Sequence, residues 1–267
     1  MLFHLGPASG RLACIIMSTL VIDIGNTTIA TGVYRAGSVS RVRRFETAEA
    51  RRESIESFVL EDQPRTVSGA VAASVVPKRS PTWRRILRKR FGQQVVWVDH
   101  ETELGVKITH PNPDQIGADR LANTAGGASK YGKHFFVIDI GTAITFDVVV
   151  PRRGYIGGII APGGPVMRKA LAERAALLPE VDLHPTRVRI GRSTEDAMRL
   201  GITLGERGMV REILDHLTRH FGGPDLQLIA TGGDADHITR GLDRKVILDP
   251  DLTLHGLGVI GKLNLVK

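Results

Sequence analysis

Val21-Ile22-Asp23-Ile24-Gly25-Asn26-Thr27-Thr28 returns 116 positions later as Val137-Ile138-Asp139-Ile140-Gly141-Thr142-Ala143-Ile144-Thr145. Each copy is an apolar strand, an Asp, a Gly two residues on, a hydroxyl cluster, and then further β-branched residues. The pattern predicts two β-strands joined by a tight polar turn. Two such hairpins predict a duplicated α/β domain with a cleft between the halves. A carboxylate, small residues and hydroxyls at a strand end suit a nucleotide phosphate and its cation. The first expectation is therefore an ATP-dependent phosphotransferase. No Gly-Lys-Ser/Thr follows either copy, so neither is a Walker loop. The plainer reading of each copy is a hairpin turn whose Asp only caps. A second copy and a glycine-rich third element favour the functional reading.

Outward from the first copy, Leu20–Ile24, Thr28–Tyr34 and Val39–Phe45 are predicted as a meander of three strands. A helix within Glu49–Val59, a strand over Val67–Ser74, a helix from Pro81 to about Arg90 and a strand over Val95–Val98 follow. Pro111 and Pro113 make the next stretch irregular. A helix over Arg120–Tyr131 then carries Ala122, Ala125, Gly126 and Ala128, which make it thin enough for close packing. After the second hairpin come a strand over Tyr155–Ile160 and a glycine-rich loop, Gly157–Gly164, opening a helix to about Leu177. Thr194–Phe221 is one long helix or two abutting ones. A strand over Leu226–Ala230 enters Thr231-Gly232-Gly233-Asp234. A short helix, a short strand and a closing helix over Leu254–Leu263 complete the chain. The expected domains are residues 17–115 and 116–267. Residues 1–16 are expected to be an extension or a mis-set start, with Met17 the more natural beginning.

The 267 residues suffice for two such domains, and 42% apolar content supplies their cores. One cysteine, Cys14, leaves no internal disulfide framework and no cysteine-based zinc site. No apolar run reaches the roughly 18 residues of a membrane helix, and the profile is that of a soluble cytoplasmic protein. The formal charge of +8 is spread, with clusters at Arg41–Arg44, Arg84–Arg90 and Arg152–Arg153. Without a nucleic-acid-binding motif or aromatic platform, it reads as solvated surface and a field favouring anionic substrates. The histidines show no compact metal-ligand spacing, and no G-x-S-x-G elbow is present.

Three carboxylates stand out. Asp23 and Asp139 lie in the paired turns. Asp119 lies in Gly117-Ala118-Asp119-Arg120, at a helix start after the proline-rich loop. There Asp119 is either an N-cap or the acceptor of a proton from an attacking hydroxyl. Arg120 is either surface or a fork for a substrate carboxylate. If the three acids meet at one cleft, a cation is needed before ATP can enter. Gly157–Gly164 and Thr231–Asp234 offer close backbone approach to the nucleotide.

The four elements Asp23–Thr27, Gly117–Arg120, Asp139–Thr142 and Gly158–Gly163 stand in the order and approximate spacing of the type III pantothenate kinases. The resemblance runs from Thr19 to the C-terminus, including Pro250-Asp251-Leu252-Thr253-Leu254. It implies two ribonuclease-H-like domains of the acetate kinase, sugar kinase, heat-shock protein and actin superfamily. It implies a homodimer that phosphorylates the primary hydroxyl of pantothenate with ATP, the first step toward coenzyme A. It also implies a monovalent cation, potassium or ammonium, and magnesium with the nucleotide. Carried over, Asp23, Ile24, Gly25, Asn26, Thr27, Thr28, Ile29 and Ala30 form the turn at the ATP phosphates, and Thr142 contacts ATP. Gly117, Ala118, Asp119 and Arg120 contact pantothenate, Asp119 is the proton acceptor, and Asp139 is the potassium ligand. The chain departs from the family at His110, where a Tyr is common, at Ala175, where a Thr contacts pantothenate, and at Ile144, where a Thr is common. His110 and Ala175 bear on pantothenate affinity. A relative that acts as a regulatory accessory protein, and a kinase for another hydroxy acid, are the competing readings.

Overall fold

The computed structural model describes residues 18–61, 63, 66–182 and 189–265. The expected extension at residues 1–16 lies outside them. The first half runs β1 (Ser18–Ile24), β2 (Thr28–Arg35), β3 (Ser38–Glu46), α1 (Arg52–Leu60), β4 (Val67–Ser74), α2 (Ser80–Phe91) and β5 (Val95–Trp97). Its sheet has the order β3-β2-β1-β4-β5, with β1 antiparallel to β2 and parallel to β4. The second half opens with α3 (Ala118–Tyr131), β6 (Phe135–Ile140), β7 (Ala143–Val150), β8 (Gly154–Pro162) and α4 (Gly164–Arg174). It continues with α5 (Thr194–Phe221), β9 (Gln227–Thr231), α6 (Ala235–Thr239), β10 (Ile247–Leu248) and α7 (Leu252–Asn264). Its sheet, β10-β9-β6-β7-β8, places the second meander as the first sheet places its own. This is the duplicated ribonuclease-H-like arrangement.

Each sheet is covered on one face by helices of its own half. Leu20, Ile22, Ile24 and Ile29 face Phe58, Trp83 and Leu87 of α1 and α2. Ile138, Ile140, Ile144 and Phe146 face Val210 and Leu214 of α5. The other faces share one core. Val21 and Val71 of the first sheet, Val137 and Ile229 of the second, and Leu121, Leu257 and Ile260 of α3 and α7 belong to it. Strands buried on both faces read as continuous apolar runs, as β1 and β6 do. The small residues of α3 serve the crossing with α7. A Cβ on Gly256 would lie 1.9 Å from the Ala122 carbonyl oxygen, and one on Gly126 would lie 2.7 Å from that of Leu252.

Two local readings change. Gly157–Gly164 is not a loop, because β8 runs through to Pro162. Glycine is required there by crowding within the sheet, since a Cβ on Gly158 would lie 1.7 Å from the Phe146 carbonyl oxygen. Pro162 closes an edge strand, where a missing N–H is tolerated. Thr194–Phe221 is a single helix of 28 residues, capped by Ser193, whose hydroxyl accepts from the Asp196 N–H at 3.1 Å.

Candidate active site

The paired turns meet. Asp23 stands opposite Ala30 and Asp139 opposite Thr145, the same register in each hairpin. The Gly25 N–H donates to the Thr28 carbonyl at 3.0 Å, and the Gly141 N–H donates to the Ala143 carbonyl at 3.1 Å. Between the turns, the hydroxyls of Thr27 and Thr142 lie 2.8 Å apart. Asn26, Thr27, Thr28 and Thr142 are exposed, whereas Ile24 and Ile29 are buried and anchor the first turn. Ala30 is partly buried beside the shared core.

Asp119 joins the two turn acids. All three are recessed but keep part of their surface accessible. Burial raises the Asp23 carboxyl well above its ordinary range, and the charges of Asp119 and Asp139 raise it further. Burial lifts Asp139 to about 6, with Asp119 adding and an Asn123 hydrogen bond opposing. That bond runs from Asn123 Nδ2 to Asp139 Oδ2 at 3.0 Å. Burial also raises Asp119, against hydrogen bonds and charge from the Arg120 side. The acids influence one another through space. No three His, Cys, Asp or Glu side chains among the described residues converge closely enough to cage a metal ion. A cation here would be shared with substrate oxygens, as a magnesium–nucleotide or monovalent ion is.

Gly117, not Asp119, is the N-cap of α3. A Cβ on Gly117 would lie 2.5 Å from Asp119 Oδ1, so this glycine makes room for the carboxylate. Asp119 accepts the Arg120 N–H at 2.8 Å, and its charge acts on both Asp23 and Asp139. Arg120 is not free surface. Its Nε and Nη2 both lie 2.8 Å from Asp147 Oδ1, and the Asp147 side chain is fully buried. The Tyr155 hydroxyl donates to the same oxygen at 3.0 Å. Burial lifts Asp147 to about 7, while Arg120 and Tyr155 oppose it.

Asp147 and Tyr155 were missed in the sequence. The available signal was an acid inside the apolar run Ile144–Val150, paired in register with Gly158. Removing the side chain at 158 admits the guanidinium, because a Cβ there would lie 2.5 Å from Arg120 Nη2. His110 borders this cluster. Its ring centroid is 6.4 Å from that of Tyr155, and its Nδ1 lies 2.9 Å from the Asn112 carbonyl oxygen. Ala118 is partly buried against the shared core. Ala175 ends α4, beside an apolar groove of about 790 Å³ between α4 and α5. Thr231-Gly232-Gly233-Asp234 lies against the second turn. The Asp234 N–H donates to the Ile140 carbonyl at 3.1 Å, and a Cβ on Gly232 would lie 2.6 Å from Asp139 Oδ1.

This arrangement can hold a phosphate chain between two hydroxyl-rich turns and present a hydroxyl to Asp119. Comparisons with known proteins bear on the family of the whole chain. The profile of the type III pantothenate kinase family matches residues 19–216. A type III pantothenate kinase of Akkermansia muciniphila is 45% identical over 197 residues, covering 73% of this chain and 79% of that one. One from Acidiphilium cryptum is 39% identical over 253 residues, covering 92% and 94%. Among solved structures, a Campylobacter jejuni protein named for the Baf family of transcriptional activators has a TM-score of 0.58 at 18% identity, covering 92% and 98%. A hexokinase of the ROK family from Thermus thermophilus has a TM-score of 0.53 at 15% identity, covering 92% and 98%. The last two bear on the fold alone.

Proposed function

Since this chain belongs to the type III pantothenate kinase family, we propose that it phosphorylates pantothenate in the cleft between its paired turns. The reaction follows from the family: ATP is the phosphoryl donor and pantothenate the acceptor. The observation that carries the site is the 2.8 Å approach of Thr27 to Thr142 beside three recessed acids. In our reading the two turns orient the phosphates of ATP. The hydroxyl oxygen of pantothenate attacks the γ-phosphorus as the bond to the β,γ-bridging oxygen breaks, and ADP leaves. Asp119 takes the hydroxyl proton, and its raised pKa makes it the stronger base. Arg120, fixed by Asp147 and Tyr155, turns its remaining donors to the pantothenate carboxylate, with His110 at the edge of that subsite.

Asp139 and Asp23 have no ion-pair partner among the described residues, and this donor set suits a cation. A potassium or ammonium ion held by Asp139, with magnesium on the nucleotide, would supply neutralising charge to the phosphates. The division into units at 17–115 and 116–267 remains our reading of the duplication.

We further read the active unit as a homodimer. Val166 and Leu171 of α4 are 41% and 38% exposed, Leu204 of α5 is 55% exposed, and Ile160 on the edge strand β8 is 64% exposed. Leu171 lines the α4–α5 groove, Val166 and Leu204 lie on the same two helices, and a second copy would cover such exposed apolar side chains. No helix among the described residues is long and apolar enough to cross a membrane.

ATP turnover by the purified protein, with and without pantothenate, in potassium and then in sodium, tests this reading. Turnover is expected only with pantothenate and mainly in potassium. A flat response across the four conditions would remove it. Sedimentation in the same buffers tests the dimer, which a mass of one chain would exclude.

A further inference from the structure

α5 buries Met198, Ile202, Glu206, Val210 and Leu214, a stripe spaced every four residues. That is the face a long helix turns toward its core. One member is an acid, and Glu206 is only 4% exposed. A carboxylate in such a place needs a hydrogen-bonding partner. Its partner is the Gly164 N–H, which donates to Glu206 Oε1 at 3.1 Å. Gly164 is the first residue of α4, so Glu206 occupies the helix start that the sequence offers to a phosphate.

The neighbouring residue touches the nucleotide turn. The Gly163 N–H donates to the Thr142 carbonyl at 3.1 Å. A Cβ at 163 would lie 2.0 Å from the Gly141 carbonyl oxygen and 2.8 Å from that of Thr142. No side chain fits there to fasten the turn. The first half of the duplication has one. Thr47 follows β3 as Gly163 follows β8, and its N–H donates to the Thr27 carbonyl at 2.8 Å. Its hydroxyl adds a second bond, to the Gly25 carbonyl at 2.7 Å. The two braces are equivalent in topology, and the second lacks the hydroxyl. Glu206 fastens the same place from α5.

We propose that Glu206 is a positioning residue for the nucleotide: by holding Gly164 it holds Gly163 against the second turn and fixes where the Thr142 hydroxyl meets a phosphate. The inference rests on the reading of Thr142 as an ATP contact, and the test separates the two. Affinity for AMP-PNP is measured by calorimetry for wild type, Thr142→Ala, Glu206→Ala, Glu206→Gln and the double alanine variant, together with the Michaelis constant for pantothenate. Thr142→Ala is expected to weaken the analogue about tenfold, and Glu206→Ala about fivefold, on the scale of one hydrogen bond each. The pantothenate constant should stay within about twofold, and the double variant should be no weaker than Thr142→Ala, because losses routed through one turn do not add. Glu206→Gln should bind within about twofold of wild type, since its amide oxygen still accepts from Gly164. If Glu206→Ala fails to fold, Glu206→Asp replaces it, its shorter chain falling short of Gly164. Thr142→Ala binding like wild type would remove the ATP contact and the inference with it. Thr142→Ala weakened, with Glu206→Ala unchanged, with fully additive losses, or with Glu206→Gln as weak as Glu206→Ala, would overturn the inference alone.

Discussion

Asp23 and Asp139 hold the same position in their hairpins, yet different neighbours meet them. Asp139 accepts from Asn123 Nδ2 at 3.0 Å, and Asn123 is in turn held by the Thr253 hydroxyl, which donates to its Oδ1 at 2.8 Å. Asp23 has no side-chain donor among the described residues, only burial and two neighbouring acids. Burial and neighbouring acids raise both carboxyls, Asp139 to about 6, and only Asp139 has a side-chain hydrogen bond that opposes the rise. The donors come from α3 and α7, which lie between the sheets and belong to neither hairpin. The duplication supplies matching backbones, and the asymmetry comes from what packs against them. The following variants break or sharpen that contrast.

The largest effect is expected between the two turns, at Asp119. Asp119→Asn should retain the fold and nucleotide binding while turnover falls about 10²–10⁴-fold, the scale of a lost general base. Wild-type turnover in the purified variant would remove the role. Much of phosphoryl transfer is positioning and charge stabilisation, so single-turnover rates across pH should accompany the steady-state value.

Asp139→Asn comes next. Losing a charged ligand should lower turnover about 10–100-fold and flatten the potassium dependence, as for a lost charge-assisted contact. Stability should move the other way. The folded carboxyl titrates near 6 against an ordinary 3.8. The stability tied to that raised pKa is complete below the ordinary value and is lost as pH rises through about 6. The asparagine variant escapes that loss. In sodium buffer it should melt above wild type at pH 7.5 and alongside it near pH 4. A variant that melts lower at pH 7.5 would show that Asp139 is stabilised as a charge.

Asn123→Ala removes the asymmetry while keeping both acids. Its hydrogen bond lowers the Asp139 pKa, so removal should raise it above about 6. The acid limb of the pH–rate profile should then move to higher pH. Activity at pH 6.5 should fall about threefold or more, and activity at pH 8.5 should change less, on the scale of one hydrogen bond. An unshifted limb would mean that Asp139 does not govern it.

Much of this contrast was legible in the chain and part was not. The repeated phrase carried both hairpins, because strand periodicity and a Gly-containing turn are local properties. Val67–Ser74 is a strand over the expected span for the same reason. The partners that tune the acids were harder to see. Asn123 and Thr253 are 130 positions apart and meet only because α3 crosses α7. Arg120 reads as either surface or a substrate fork, and nothing local names Asp147, on a strand 27 positions on, as its partner. Gly157–Gly164 reads as a loop because glycine marks turns more often than crowded strands. Asp147 and Glu206 each left a trace, an acid in an apolar pattern, but the trace does not name its partner. His110 lies against Tyr155, and Ala175 ends α4.

The smallest effect is expected where the turns touch. Thr27→Val removes the 2.8 Å hydroxyl contact with Thr142 and keeps the β-branched shape. Both residues are exposed, so water replaces the lost partner and melting should stay within about 2 °C, as for an ordinary surface change. The backbone of the first turn should also hold, because Thr47 braces it through the Thr27 and Gly25 carbonyls. What remains is the loss of one donor to a phosphate oxygen, which should raise the Michaelis constant for ATP about threefold and leave that for pantothenate unchanged. Thr27→Ser, which keeps the donor, should restore the ATP value. If the serine variant raises it as much as the valine variant, the hydroxyl alone does not carry the effect, and packing of the γ-methyl shares in placing the turn. If Thr27→Val lowers the constant instead, the contact between the turns is a closure that ATP must open, and the two hydroxyls compete with the nucleotide rather than serve it.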